Sequence, residues 1–194
     1  MIAGIILASG YSKRMRRDKL LLEFNSKKAV ENVILAAKNS MLSRVILVYR
    51  RDKIRIIGES HGIEAIENNR AYLGQSESVK LGVSQADNVE GYLFLVGDQP
   101  LISADFINQI ILKFKTCGKG IVIPIYKDKI KMPILFSNKY RDELLASEGE
   151  QGGYEIIENN PADIIYIDVK DFYEVADFDH YEEYLKFLED KEGN

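Results

Sequence analysis

An α/β fold, built on a mostly parallel sheet with helices on both faces, follows from three features of this 194-residue sequence. Apolar runs of strand length alternate with helix-periodic stretches over residues 2–116, the pattern of successive βαβ units. The runs are continuous rather than alternating in polarity, as in strands covered on both faces. The winding then changes near residues 121–136, where two strand-like runs flank Lys127, Asp128 and Lys129. That places a mixed β-hairpin portion in the second half.

Residues 2–8 are continuously apolar and stop at Ser9 and Gly10, which reads as a buried parallel strand with its chemistry at the carboxyl end. Residues 28–39 carry Val30, Val33, Ile34 and Ala37 at helical spacing, and 44–49 (RVILVY) return to a buried strand. A second helix over 51–61, a short strand over 63–66 and a third helix over 75–86 continue the alternation. Residues 91–96 (GYLFLV) form the next strand, broken by Gly97, Asp98, Gln99 and Pro100. Ser103 is placed to cap a helix running to about Lys115. Glycines at 149, 152 and 153 precede a strand over 164–169, and residues 181–189 read as an acidic C-terminal helix.

With 46% hydrophobic residues the chain can build one sizeable core, so a single domain over 1–194 is expected. Cys117 is the only cysteine, which excludes an internal disulfide and a thiol-based zinc site and fits a reducing cytoplasm. No apolar run reaches the ~18 residues of a membrane span, and Met1 leads straight into a strand, so a soluble, unexported protein is expected. Lys13, Arg14, Arg16, Arg17 and Lys19 give residues 13–19 a charge of +4 after subtracting Asp18, in a chain of net charge −4. One cationic loop on an acidic protein suits a local anionic ligand; nucleic acid needs a basic face.

Small residues at Ala8, Ser9 and Gly10 let backbone N–H groups approach phosphate oxygens, with Arg14 and Lys19 to neutralise charge. The loop is neither a P-loop nor a GxGxxG turn. Gly74 precedes a helix whose first turn holds Ser76 and Ser78, hydroxyls able to bond a base or ribose. The same segment also reads as a plain capped helix with Ser76 or its neighbour at the N-cap. Asp98, at a strand end before Pro100, suits a hard cation such as magnesium, and reads equally as an ordinary turn aspartate. Asp177 and Asp179 alternate and would share a side if extended. Asp179 also reads as the N-cap of the last helix.

LASGYSKRMRRDKLL resembles the signature LAAGxSxRMGxxKxL of the molybdopterin and sugar-phosphate nucleotidyltransferase superfamily, in its molybdenum cofactor cytidylyltransferase branch. Leu7, Ala8, Gly10, Ser12, Arg14, Met15, Lys19 and Leu20 fall on matching positions, while Ser9 and Arg16 depart from it. Cytidylyl-using members carry Ala where Ser9 stands and guanylyltransferases carry Gly, so serine selects neither. Gly74, Ser76 and Ser78 match a GxSxSLxxG element that lines the base pocket, and FLVGDQPLI is similar to the FLLGDQPLV form of the cytidylyl branch. Met132–Phe136, Gly149–Gly152 and residues 175–180 correspond more loosely to later motifs, with Lys131, Met132 and Glu150 as departures.

The resemblance implies a Rossmann-like three-layer sandwich of the nucleotide-diphospho-sugar transferase type. It implies a magnesium-dependent transfer from an NTP, CTP foremost, to molybdopterin carrying molybdenum. Leu7, Ala8, Ser9, Gly10, Ser12, Gly74, Ser76, Ser78 and Asp98 would bind nucleotide, Arg14 and Lys19 would be catalytic, and Asp98 and Asp179 would hold Mg2+, with Asp177 in support. Transient contact with a molybdoenzyme or its chaperone is implied; nucleic acid and membrane are not. GTP, a sugar 1-phosphate acceptor and a non-catalytic nucleotide-binding paralogue stand as alternatives.

Overall fold

The computed structural model describes residues 1–11, 18–150, 152–178, 182–185 and 187. The chain forms β1 (Ile2–Ala8), a small hairpin of β2 (Glu23–Phe24) and β3 (Lys27–Lys28), α1 (Ala29–Lys38), β4 (Arg44–Tyr49), α2 (Asp52–Ser60), β5 (Glu64–Glu67), α3 (Gln75–Gln85) and β6 (Gly91–Val96). The second half adds α4 (Ala104–Cys117), β7 (Ile121–Tyr126), β8 (Lys129–Ile130), β9 (Ile134–Ser137), α5 (Arg141–Ala146), α6 (Tyr154–Asn159) and β10 (Ile164–Asp168). Residues 182–185 are helical, within the expected C-terminal helix. No described helix is long and apolar enough to cross a membrane.

The main sheet has the order β10-β7-β9-β6-β1-β4-β5, with β8 attached to β7. β1 pairs in parallel with β4 and β6, β4 with β5, and β7 with β10, while β9 runs antiparallel to both β6 and β7. Apart from the short β8, antiparallel to β7, one reversed strand therefore leaves the carboxyl ends of all the others, and the start of β9, along a single edge. Successive side chains of β1 alternate faces, as a strand requires. Ile2, Ile6 and Ala8 join Val33, Ile34, Phe106 and Ile110 from α1 and α4, whereas Ala3 and Ile5 join Val79, Val83 and Ile156 from α3 and α6. This is the helix-sheet-helix sandwich that continuous apolar runs predict, each large buried side chain contributing roughly 1.5–3 kcal/mol.

The hairpin expected over 121–136 forms at both ends, Ile125 and Tyr126 pairing with Ile130 and Lys129 at the tip and Ile121 and Val122 with Phe136 and Leu135 at the base. Lys127 and Asp128 take φ of 47° and 60°, the two-residue turn that joins β7 to β8. Residues 131–133 interrupt the ladder, and β9 then pairs with β6 as well as with β7, with Ile134, Leu135 and Phe136 buried. An apolar run this complete needs partners on both sides, which a two-stranded hairpin cannot supply. The β2–β3 hairpin, with Asn25 and Ser26 at φ of 52° and 64°, was not expected from the sequence.

Asp163 ties β9 and α5 to the start of β10: its Oδ2 accepts from Tyr140 OH at 2.6 Å and pairs with Lys139 Nζ at 2.7 Å. Burial pushes its carboxyl upward, but the Lys139, Tyr140 and Gly120 hydrogen bonds outweigh that and hold it below the usual carboxylate value. A depressed pKa contributes stability above the unfolded value that is lost as pH falls through the folded one. Asp163→Asn should therefore cost on the order of 1–2 kcal/mol at pH 7, with the gap between the two melting curves closing below about pH 4. A pH-independent gap would exclude the ionised carboxylate as its source.

Candidate active site

From β1 the sheet is wound outward through β4 to β5, and the chain then returns to the other side of β1 as β6. Loops at such a reversal part to opposite faces and open a crevice for ligands. Ser9 and Asp98 both lie there. Arg50, beyond the end of β4, donates from Nε to Ser9 O at 3.2 Å and from Nη2 to Gly10 O at 3.5 Å, with its guanidinium 4.1 Å from the Tyr11 ring centroid. Arg51 pairs with Asp18 at 2.8 Å, and Asp18 also accepts from Leu20 N at 3.2 Å, starting the turn that carries Lys19. Two consecutive arginines thus fix the basic loop on either side of residues 12–17. Ser12 and Arg14 lie outside the described residues.

Lys19 Nζ forms an ion pair with Asp98 Oδ2, the side chains being 21% and 14% exposed. Gly97 makes this meeting possible: a Cβ there would lie 3.1 Å from Leu20 Cδ2 and 3.4 Å from Ala8 Cβ, so glycine admits buried Leu20 between the strand ends. Gln99 donates from Nε2 to Met132 O at 3.3 Å and to Val175 O at 3.1 Å, joining three segments at the Asp98 turn.

The C-terminal segment has further anchors. Glu174 accepts from both N and Oγ of Ser103 at 2.8 Å, while Ser103 Oγ accepts from Phe106 N and caps α4 as expected. Phe178 and Tyr184 each lie 5.0 Å from the Phe24 ring, and Phe187 lies 5.7 Å from it. Between these anchors Asp177 is exposed and lines, with Asp98 and Lys131, a cavity of about 300 Å³. Leu7, Phe94, Ile134 and Phe136 supply apolar wall. Asp179 lies outside the described residues.

Across the crevice, α3 begins at Gly74, whose φ of 112° and ψ of 178° suit glycine alone. A Cβ at Gly74 would lie 2.4 Å from Gly149 C and O, and Ser76 N donates to Gly149 O at 3.0 Å. Gly74 is the N-cap, and no side chain caps the helix. This corrects the capping role read for Ser76 or its neighbour, since the close approach to Gly149 reserves that position for glycine. Ser76 Oγ is instead buried without a hydrogen-bond partner among the described residues. Ser78 Oγ faces β1, 2.5 Å from Ser9 Oγ and 3.0 Å from Asn68 Nδ2.

Residues 4–164 match the family model of the MobA-like NTP transferase domain. The chain belongs to the MobA-like NTP transferase family. The purine catabolism protein PucB of Bacillus subtilis is 25% identical over 195 residues, 94% of each chain. A probable molybdenum cofactor guanylyltransferase of Thermococcus gammatolerans is 28% identical over 156 residues, 79% of this chain and 78% of that one. The crystal structure of Rv0371c from Mycobacterium tuberculosis, in complex with manganese, superposes with a TM-score of 0.78 at 20% identity, over 97% of this chain and 98% of that one. At that identity the likeness shows the fold, the mixed α/β sheet of nucleotidyltransferases.

In this MobA-like chain Leu7, Ala8, Ser9, Gly10, Lys19 and Asp98 lie at or just beyond the ends of β1 and β6, and Gly74, Ser76 and Ser78 at the start of α3; of these, Leu7 and Asp98 line the cavity. Sequence reading missed Arg50, Arg51 and Asn68. The signal for them was positional: each follows directly on a strand that pairs beside β1 or one removed from it, at the same carboxyl edge. Arg51 reads from sequence as a helix start.

Proposed function

We propose that this protein transfers the nucleoside monophosphate of an NTP, CTP foremost, to a phosphorylated acceptor of the molybdopterin type, with residues 1–194 acting as one nucleotidyltransferase domain. The observation that carries the reading is the Lys19–Asp98 pair at the β1/β6 reversal, with Asp177 on the wall of the same cavity. Gln99, within a GDQP string, supports the cytidylyl branch. The name of the Thermococcus relative supports a second reading in which GTP is the donor.

In the transfer, an oxygen of the acceptor phosphate attacks the α-phosphorus in line, the bond to the bridging oxygen breaks, and pyrophosphate leaves with the electron pair. The acceptor phosphate is already ionised, so no general base is required. Positioning and charge neutralisation do most of what the protein contributes. Backbone N–H groups of the Ala8–Gly10 loop would face phosphate oxygens, Arg14 would offset their charge, and Lys19 would sit by the α-phosphate and the acceptor phosphate.

The donor set suits magnesium. Asp98 and Asp177 offer hard carboxylate oxygens to one cavity with room for phosphate oxygens and water, the complement this ion takes. Among the described residues no three His, Cys, Asp or Glu side chains cluster, so substrate oxygens would complete the shell. Asp98, with Asp177 or Asp179, would hold the ion, which neutralises phosphate charge when bound. The manganese in Rv0371c supports a divalent cation in this fold.

Pyrophosphate release measured with CTP, GTP, ATP and UTP, each with and without molybdenum-loaded molybdopterin, tests the reading. The expected result is release that needs both CTP and the acceptor. Preference for GTP moves the assignment to the second reading, and release indifferent to the acceptor overturns its identity. Binding without release with any nucleotide marks a non-catalytic paralogue.

A further inference from the structure

Ser9, Asn68 and Ser78 form a polar cluster exposed by only 7%, 0% and 2%, and the transfer step leaves its hydroxyls unused. Its protons can be counted. Arg70 N donates to Asn68 Oδ1 at 2.9 Å, which fixes the orientation of the amide. Nδ2 therefore directs both its protons at the serines, 3.0 Å from Ser78 Oγ and 3.4 Å from Ser9 Oγ. The hydroxyl oxygens are 2.5 Å apart, so one donates to the other. Two hydroxyls own two protons, and that contact uses one of them. Among the described residues the second proton has no acceptor.

The arrangement says which hydroxyl keeps it. When Ser78 donates, Ser9 accepts from Ser78 and Asn68, both its lone pairs are engaged, and its own proton must leave the cluster. Ser9 is also the more exposed of the pair and the first residue beyond β1, at the carboxyl edge of the sheet. A nearly buried O–H without an acceptor is costly, whereas a nucleotide offers acceptors on base, ribose and phosphates. We propose that Ser9 donates this proton to an acceptor atom of the bound nucleotide, with Asn68 and Ser78 as positioning residues that set its polarity. The inference rests on the nucleotidyltransferase reading. Alanine or glycine at this position has no such proton, so the contact is a specificity feature of chains that carry serine here.

Calorimetric titration of the full chain with CTP, GTP, ATP and UTP, in magnesium and without acceptor, tests it. Ser9→Ala should weaken the preferred nucleotide about 10-fold, the size of one hydrogen bond, and Ser9→Thr should recover most of the loss because the hydroxyl returns. Asn68→Asp keeps the Arg70 contact but replaces a donor with an acceptor that captures both hydroxyl protons; it too should weaken binding about 10-fold. The double variant Ser9→Ala/Asn68→Asp should bind no more weakly than either single one, since only one proton is available to lose.

A loss in the double variant equal to the product of the two, as charge repulsion from the introduced carboxylate would give, overturns the proposal. Wild-type affinity in Ser9→Ala overturns it as well. If Asn68→Asp does not fold, the alanine and threonine variants at Ser9 decide alone, with thermal melts showing the fold intact. A loss shared by all four nucleotides puts the acceptor atom on ribose or phosphate, and a loss confined to one puts it on the base; both support the proposal. A wild-type chain that binds none of the four nucleotides sinks the nucleotidyltransferase reading itself, whereas unaltered binding in Ser9→Ala removes only this inference.

Discussion

Lys19→Ala should lower kcat about 10²–10³-fold, the loss seen when one preorganised electrostatic group is removed from a transition state. On the proposed reading the side chain faces the negative charge concentrated in the transfer, and its position is set from two directions. Asp18, held by Arg51, starts the turn before it, and Leu20 is seated over Gly97 behind it. The fold does not depend on the ammonium group. Removing it does leave Asp98, 14% exposed, without its ion-pair partner. A melting temperature lower by a few degrees is expected in EDTA, with most of it restored by magnesium, because a cation again faces the carboxylate. Turnover at the wild-type rate would show that Lys19 is not in the reacting centre. The companion variant Asp98→Asn should lose activity and magnesium dependence together.

Gly74→Ala should destabilise the fold by about 2–4 kcal/mol and impair turnover at the same time. Two independent costs add at this position. The φ of 112° lies where alanine is strained, and the new methyl carbon would stand 2.4 Å from the Gly149 carbonyl, a backbone group with no rotamer by which to escape. Relief requires the 149–153 loop to move off α3. Gly152 and Gly153 of that loop line the cavity, so the movement reaches the proposed substrate site. Gly149→Ala is the control: it has φ of 66° but, among the described residues, no atom within 4 Å of its would-be Cβ, so it should cost only about 1 kcal/mol of backbone strain. Urea denaturation of both variants separates crowding from strain. Equal losses would mean that the close approach at Gly74 carries no weight.

The sheet was legible in the sequence because burial on both faces imposes continuous apolar runs, and such runs survive as text in β1, β4 and β6. The insertion of β9 was not, because the run around Ile134 says that it is buried without saying between which strands. Strand order is a long-range property that local pattern does not encode. Asp98 stood out because a stiff turn follows an apolar strand. Arg50 and Arg51 did not, since their role comes from lying at the end of β4 beside β1, and two arginines before a helix look the same in any solvated turn. Gln99 was read as a family marker, but its amide as a three-way join needed Met132 and Val175 brought to it by the fold. Ser76 was read as a cap because serine commonly is one; the approach of Gly149 reversed that preference.

The aromatic cluster on Phe24 has a consequence for when the proposed site is complete. Tyr184 OH donates to Glu23 O across 161 positions of sequence, and Asp177 is seated only once such contacts close. Bringing distant segments together is slow relative to local pairing, because the chain loses its freedom before the contact compensates for it. The parallel strands from β1 to β6 can assemble from shorter-range contacts, so the sheet has a route to formation that does not wait for the last acid. On that route the protein acquires its sheet before the proposed site is complete, and a chain that has not yet docked residues 174–178 is a nearly native species in which that site lacks Asp177.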